Sequence, residues 1–413
     1  MPGNCCTLVA RVALIAAVLV LAGCRDDSVG PTPDDPLFER YIAVGNSITA
    51  GFESEGINDS TQAHPYSVQF AERFNAPFAW ARVRVPGCPA PLVGPLALTA
   101  ERVGGARATD CAGLHTTLPR LNHSLAVPGI RIADALREPA QTDFSPYNLF
   151  INRLFREIFG GRTLVQAMVN ADPTLVSVWL GNNDVLTAVT SGDLAQMTPT
   201  ESFVGSLDQI VSAIADQTQV EDAILLGVGN PLLIPLVQPG LYYWVLAQEP
   251  VSHALIGNKP VNPNCGPDGT GRANLVSARV VRAAAATEIS CADEAPFVLD
   301  AEEQAAIVTR VEEYNQAIRA RATEHGWIYV DVPAIQQAQA GDPQGMRLCQ
   351  AVPGAQTVEQ MFEAVRETCP LPRDDPRDFF GRLFSFDGFH PSREGQRVIA
   401  DHMEQAVRAK HGI

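Results

Sequence analysis

The chain predicts an α/β protein, one parallel sheet with helices packed on both faces and long loops inserted into it. Three observations lead there. Apolar runs of strand length recur along the chain, and several are nearly continuous, as strands covered on both faces require. Stretches with helical periodicity lie between them, and this alternation is the pattern of helices layered on a single sheet. The chain has 413 residues, 46% hydrophobic and 18% charged, enough for one large domain or two small ones with a substantial core.

The order along the chain begins with residues 1–23. After Arg11 the run "VALIAAVLVLAG" is too short to span a bilayer as a helix, which needs roughly 20 residues, and it suits the apolar region of an export signal. It ends in Leu21-Ala22-Gly23-Cys24, which resembles the bacterial lipobox; the resemblance implies that Cys24 becomes the lipidated first residue of the mature chain. Arg25, where an Asp would mark inner-membrane retention, implies an outer-membrane anchor if the cell is Gram-negative. Residues 24–37, rich in Pro and Asp, read as a flexible tether, and the remaining domain spans 38–413.

Within the domain the expected strands are Tyr41 to Gly45, Trp80 to Val85, Leu175 to Leu180, Ala223 to Val228 and Trp327 to Val332. The expected helices are Ile130 to Leu136, Leu149 to Asn170, Pro199 to Asp216, Ala301 to His325 and Ser392 to Lys410. Two Pro- and Gly-rich segments, near 53–121 and 236–298, fit neither pattern. Loops this long are lids, binding elaborations or stapled decoration. The stretch "GLYYWVL", Gly240 to Leu246, offers either an aromatic wall for acyl chains or ordinary buried packing.

A formal charge of −16 and the lack of a dense basic run argue against nucleic acid as partner. Of nine cysteines, Cys5 and Cys6 fall in the leader and Cys24 in the lipobox. Cys88, Cys111, Cys265, Cys291, Cys349 and Cys369 remain, an even number in an exported chain and therefore disulfide candidates. Pairing of sequence neighbours is the simplest of 15 connectivities. A zinc site is the rival, but no C-x-x-C or H-x-x-x-H spacing occurs, so no metal or cofactor is expected.

Three short motifs carry chemistry. In "YIAVGNSITAGF" a strand stops at Gly45-Asn46-Ser47, which puts Ser47 at a strand end where a helix can open. Taken alone, Asn46 and Ser47 are also ordinary turn and cap residues. In "VSVWLGNNDVL" an Asn at the strand end can offer a side-chain N–H to a developing oxyanion, or simply make a turn with Asp184 capping a helix. In "FSFDGFHPSREGQ" Asp387 lies three residues before His390, close enough to hold the imidazole, and Pro391-Ser392 then starts a helix. His64, His115 and His253 read as structural or exposed.

Together these blocks resemble the SGNH, or GDSL, esterase and lipase family, in the right order over residues 41 to 396. The resemblance implies a flavodoxin-like three-layer α/β/α sandwich and a serine esterase with no metal or cofactor. It carries over Ser47 as nucleophile, Gly129 in "AVPGI" and Asn183 as oxyanion residues beside the Ser47 backbone, and Asp387 and His390 as the rest of a triad. The implied substrate is a small-molecule or lipid ester. Acyl transfer to a surface polysaccharide, or its deacetylation, is the same-fold alternative, and a non-catalytic surface-binding lipoprotein the rival from another class. Two departures stand out: G-N-S replaces the family's G-D-S, and the wide spacing of the blocks marks an elaborated member with inserted loops.

Overall fold

The computed structural model describes residues 33–138, 156–349 and 357–413. The leader, Cys24 and most of the expected tether lie outside the described residues. Eight strands are present among them: β1 Tyr41–Gly45, β2 Ser124–Ala126, β3 Leu175–Trp179, β4 Asp222–Leu226, β5 Val237–Pro239, β6 Leu275–Ser277, β7 Val298–Leu299 and β8 Ile328–Val330. The main sheet is wholly parallel, in the order β2-β1-β3-β4-β8, while β5-β6-β7 form a small antiparallel sheet inside the second insertion.

Alternation along the central strands assigns each residue to one of two apolar layers. Ile42, Val44, Val176, Val178, Ala223 and Leu225 pack with the helices Leu164–Asn170, Thr200–Ala215 and Ala301–Glu324. Their neighbours Tyr41, Ala43, Leu175, Trp179, Ile224 and Leu226 pack on the other face with Tyr66–Arg73, Val332–Gln339 and Arg393–His411. This is the three-layer α/β/α sandwich, and it explains why β1, β3 and β4 are buried at every residue and apolar but for Ser177 and Asp222. The last helix is fastened at its end to the sheet: Asp222, with no exposed surface, takes Lys410 Nζ and His411 Nε2 at 2.7 Å each.

Three expectations change. The Trp80 to Val85 segment is not a sheet strand; only a single bridge joins Val83 to Leu114, and Arg82 and Arg84 keep one side of it in solvent. The edge position beside β1 belongs to β2, whose three residues are too few to carry a sequence pattern. The helix expected from Leu149 to Asn170 is interrupted at Gly160-Gly161, both with positive φ, and its residues 149–155 lie outside the described ones. The tether expected to run to residue 37 also ends earlier: Asp35 caps a short 3-10 turn that buries Leu37 and Phe38.

The three disulfides join sequence neighbours, Cys88–Cys111, Cys265–Cys291 and Cys349–Cys369. The first staples the 53–121 insertion, which has two helices at its start and is otherwise irregular. The second insertion holds the small sheet and the helix Gly240–Ala247, so it is a structured subunit of the domain and not a loop. No helix among the described residues is long and apolar enough to cross a membrane.

Candidate active site

Strand order reverses at β1, which has β2 on one side and β3 on the other, and in open α/β sheets ligands bind at such a switch, beyond the carboxyl ends of the strands. Ser47, Gly129 and Asn183 follow the ends of β1, β2 and β3 in turn. Three segments far apart in sequence therefore meet because their strands are adjacent and parallel.

Ser47 begins a single helical turn, Ser47–Ala50. The Asn46 side chain caps it, its Oδ1 accepting from Ile48 N at 3.0 Å. The Asn that replaces the family Asp thus keeps the capping oxygen. Its cost is on the other atom: Asn46 Nδ2 is buried with no protein partner. Gln396, from the last helix, donates Nε2 to Ile48 O at 3.0 Å and holds the turn from behind. Gly45 is required here, since a Cβ would lie 2.0 Å from Thr49 Oγ1.

His390 Nε2 is 2.9 Å from Ser47 Oγ, and His390 Nδ1 is 2.8 Å from Asp387 Oδ2. The imidazole lies against Phe389 and Phe52, with ring centroids 4.1 and 5.1 Å away. Asp387 has no exposed surface. Its Oδ1 accepts from Phe389 N, His390 N and Ser385 Oγ at 3.1, 2.9 and 3.1 Å. Its Oδ2 accepts from Glu55 N at 2.9 Å besides the imidazole. Burial by itself would raise this carboxyl's pKa; the neighbouring His390 and the donated hydrogen bonds outweigh burial and lower it, so the group is held as an anion. Gly388, at φ 75°, makes the tight turn that lets the Asp387 side chain reach the backbone of the next two residues.

The "GNND" block ties down the loop that carries Gly129. Asn183 Nδ2 donates to Ile130 O at 2.8 Å, and Asp184 Oδ2 accepts from Ile132 N at 2.9 Å. Gly129 itself sits at φ 84°. An amide nitrogen carries two N–H donors, so Asn183 is oriented by one while bordering the cleft with the rest of its side chain. Asn182 borders a smaller chamber beside Ser47, its Oδ1 accepting from Gly229 N at 3.1 Å. Asp184 is fully buried, and burial pushes its carboxyl up to about 7.

Two spaces meet at Ser47, Asn183 and His390. One is a mostly apolar chamber of about 110 Å³, bordered by Ile48, Ile234, Ile335, Met346, Val398 and Ile399 among others. The other is a cleft of about 1000 Å³ that reaches across to the second insertion, where Tyr242 and Tyr243 form part of its wall. The packing reading of that aromatic pair holds: the rings are buried and the hydroxyls are satisfied by Pro370 O and Val276 O, while both residues border the cleft. Among the described residues no group of three or more His, Cys, Asp and Glu is arranged to hold a metal ion.

The structure brings Ser47, Gly129, Asn183 and His390 to one cleft, with Asp387 buried behind His390. Sequence reasoning missed Ser385, Gln396 and Glu55. Ser385 is two residues before Asp387 within the same motif, so its proximity was legible; Glu55 acts through its backbone, which no side-chain pattern reveals.

A family model of GDSL-like lipase/acylhydrolase matches residues 41–403. A search of curated proteins found no match. Among solved structures, similar chains include an extracellular lipase from Streptomyces rimosus (TM-score 0.36, 14% identity, covering 89% of this chain and 98% of that one). An acetylxylan esterase from Geobacillus stearothermophilus (TM-score 0.34, 10% identity, 89% and 94%) and a GDSL-like lipase of Parabacteroides merdae (TM-score 0.35, 11%, 89% and 94%) are also similar.

Glu53, next to this site, is, like Asp184, a group whose ionisation should show in stability. Burial first, then the negative charge of Asp387, pushes its carboxyl from an ordinary value of 4.5 up to about 7. Between those values the folded chain keeps a proton that the unfolded chain releases, so stability falls as pH rises from 4.5 through about 7. Glu53→Gln should therefore gain more in melting temperature over the parent at pH 8.5 than at pH 5; an equal gain at both would contradict this.

Proposed function

Because the chain belongs to the GDSL-like lipase/acylhydrolase family and is thus a carboxylic ester hydrolase, we propose that Ser47 is its nucleophile, His390 its general base and Asp387 the carboxylate that orients the imidazole. The observation that carries this is the unbroken relay from Ser47 Oγ to His390 Nε2 at 2.9 Å and from His390 Nδ1 to Asp387 Oδ2 at 2.8 Å. His390 accepts the Ser47 proton as Oγ attacks the ester carbonyl. The backbone N–H groups of Ser47 and Gly129 and the Asn183 side chain hold the oxyanion, and collapse of the intermediate expels the alcohol, protonated by His390. Water, deprotonated by the same imidazole, then releases the acyl group as acid.

The two spaces at Ser47 suit an ester with unequal halves. An engineered cavity of about 150 Å³ takes up benzene, so a chamber of about 110 Å³ suits an acyl group of roughly two to four carbons. The larger alcohol half then lies in the cleft, whose volume of about 1000 Å³ is that of sites for drug-sized molecules. We further propose that the protein is exported and held at a membrane, the outer one in a Gram-negative cell, through a lipid on Cys24. The apolar run and the Leu21-Ala22-Gly23-Cys24 sequence support this.

A fluorophosphonate probe should label the parent and not Ser47→Ala. Asn183→Ala should lower turnover of a short p-nitrophenyl ester by about 100- to 1000-fold; parental turnover would remove Asn183 from the oxyanion site. Across a series of 4-methylumbelliferyl esters, kcat/KM should peak at acetyl to butyryl and drop at octanoyl, whereas a rise toward octanoyl would reject the short-acyl reading. In cells fed an alkyne-bearing fatty acid, the protein should carry the label and Cys24→Ser should not.

A further inference from the structure

We propose that Arg102, in the first insertion, is a positioning residue for this reaction, gripping Glu55 so that the Glu55 backbone N–H holds Asp387 in line with His390. The proposal rests on the assignment of Ser47, His390 and Asp387 made above. It also assigns a task to the 53–121 insertion, which the sequence left open between lid and decoration.

The argument starts from the turn at residues 53–56. Ser54 and Glu55 have φ of 54° and 53°, successive left-handed conformations that non-glycine residues adopt only when their surroundings impose them. Glu53 and Gly56 close the turn through paired backbone bonds of 2.9 Å. The turn then meets the loop of the triad carboxylate at three points. Ser54 N donates to Ser385 Oγ at 2.9 Å, Phe386 N donates to Ser54 Oγ at 3.2 Å, and Glu55 N donates to Asp387 Oδ2 at 2.9 Å. The Ser54 carbonyl, which shares its peptide plane with the Glu55 N–H, is itself held by Leu92 N at 2.8 Å, and without that N–H Asp387 Oδ2 would keep the imidazole as its sole partner.

Arg102 grips Glu55 within this turn. Its Nη1 donates to Glu55 O at 2.8 Å and to Ala90 O at 2.7 Å, and its Nη2 donates to Glu55 Oε2 at 2.8 Å. Holding both the carbonyl and the carboxylate of one residue fixes its backbone as well as its side chain, a task for a planar fork that an ammonium cannot match. The Arg102 side chain is 4% exposed. Surface decoration has no need of a charge buried at that cost.

Arg102 is itself anchored. Val93 N donates to Glu101 O and Val103 N to Pro91 O, at 3.1 and 2.9 Å, and Leu92 N donates to Ser54 O at 2.8 Å. Backbone approaches so closely at Gly56 that a Cβ there would lie 2.4 Å from Pro91 N. The Cys88–Cys111 disulfide closes around this whole segment. Glu55 borders the cleft, whereas Arg102 does not, so an effect of Arg102 on turnover cannot come from touching substrate.

The test uses the full chain with Arg102→Met and Arg102→Lys, read by kinetics on a short p-nitrophenyl ester, by thermal melting, and by the low-field proton resonance of the His390–Asp387 hydrogen bond. Arg102→Met should lower kcat about 10- to 100-fold with KM nearly unchanged, and should shift or broaden the low-field resonance. Arg102→Lys should fall between Arg102→Met and the parent. If Arg102→Met does not fold, Glu55→Gln, which keeps the backbone contacts and weakens the grip on the side chain, should shift the same resonance as well as lower kcat, the resonance being the reading that contact of Glu55 with substrate would not move. A folded Arg102→Met, or failing that Glu55→Gln, with parental kcat and an unmoved resonance overturns the proposal. A parent that hydrolyses no ester and takes no fluorophosphonate label defeats the Ser47 assignment instead, and the response of the resonance to Arg102→Met still reads the clamp by itself.

Discussion

A carboxylate with no exposed surface has lost its water, and Asp387 regains the equivalent through five donors. The donors come from both ends of the chain. Three belong to the local turn around Gly388, one is the imidazole it orients, and one is the Glu55 backbone N–H, more than three hundred residues earlier in sequence. Because a buried anion is tolerable only when its lone pairs are used, the geometry of His390 is coupled to the folding of the segment that supplies that last donor.

The same constraint gives the insertions different meanings. The first packs against the 53–56 turn, so its irregular backbone is held by specific hydrogen bonds, by Arg102 and by a disulfide in place of a sheet. The second packs Tyr243, Val276, Cys265 and Cys291 into an apolar cluster shared with Met361, Phe362 and Val365 of a later helix, and forms part of the wall of the large cleft. The first insertion therefore reaches Asp387 and also borders the cleft through Glu55, Leu96 and Ala97, while the second borders it through Tyr242, Tyr243, Leu255 and Ile256. Across the site the glycines mark close approach: Gly45 lies against Thr49, and Gly181, at φ 103°, lies against Phe203 and Val228.

Legibility in the sequence followed the physical origin of each feature. β1, β3 and β4 could be read because burial on both faces demands continuous apolar residues. The long helices Thr200–Ala215, Ala301–Glu324 and Arg393–His411 could be read from their periodicity and, in the last, from Pro391-Ser392 at its start. β2 could not, since Ser124–Ala126 is an edge of three residues whose pairing is set by β1. Trp80 to Val85 misled because its alternation of Ala81 and Val83 with Arg82 and Arg84 is what a half-exposed extended segment also shows.

What the sequence by itself determined was the chemistry on offer: a Ser, an Asn and a D-x-x-H pair at strand ends, with Asn46 able to cap as an Asp does, because these depend on residue type and near neighbours. Tertiary structure alone decided how that chemistry is held. The adjacency of Ser47, Gly129 and Asn183 follows from the order of parallel strands, and the fifth donor to Asp387 is a backbone N–H whose direction is set by the 53–56 turn. Every residue but proline has such an N–H, so nothing in the letter E at position 55 announces where it points.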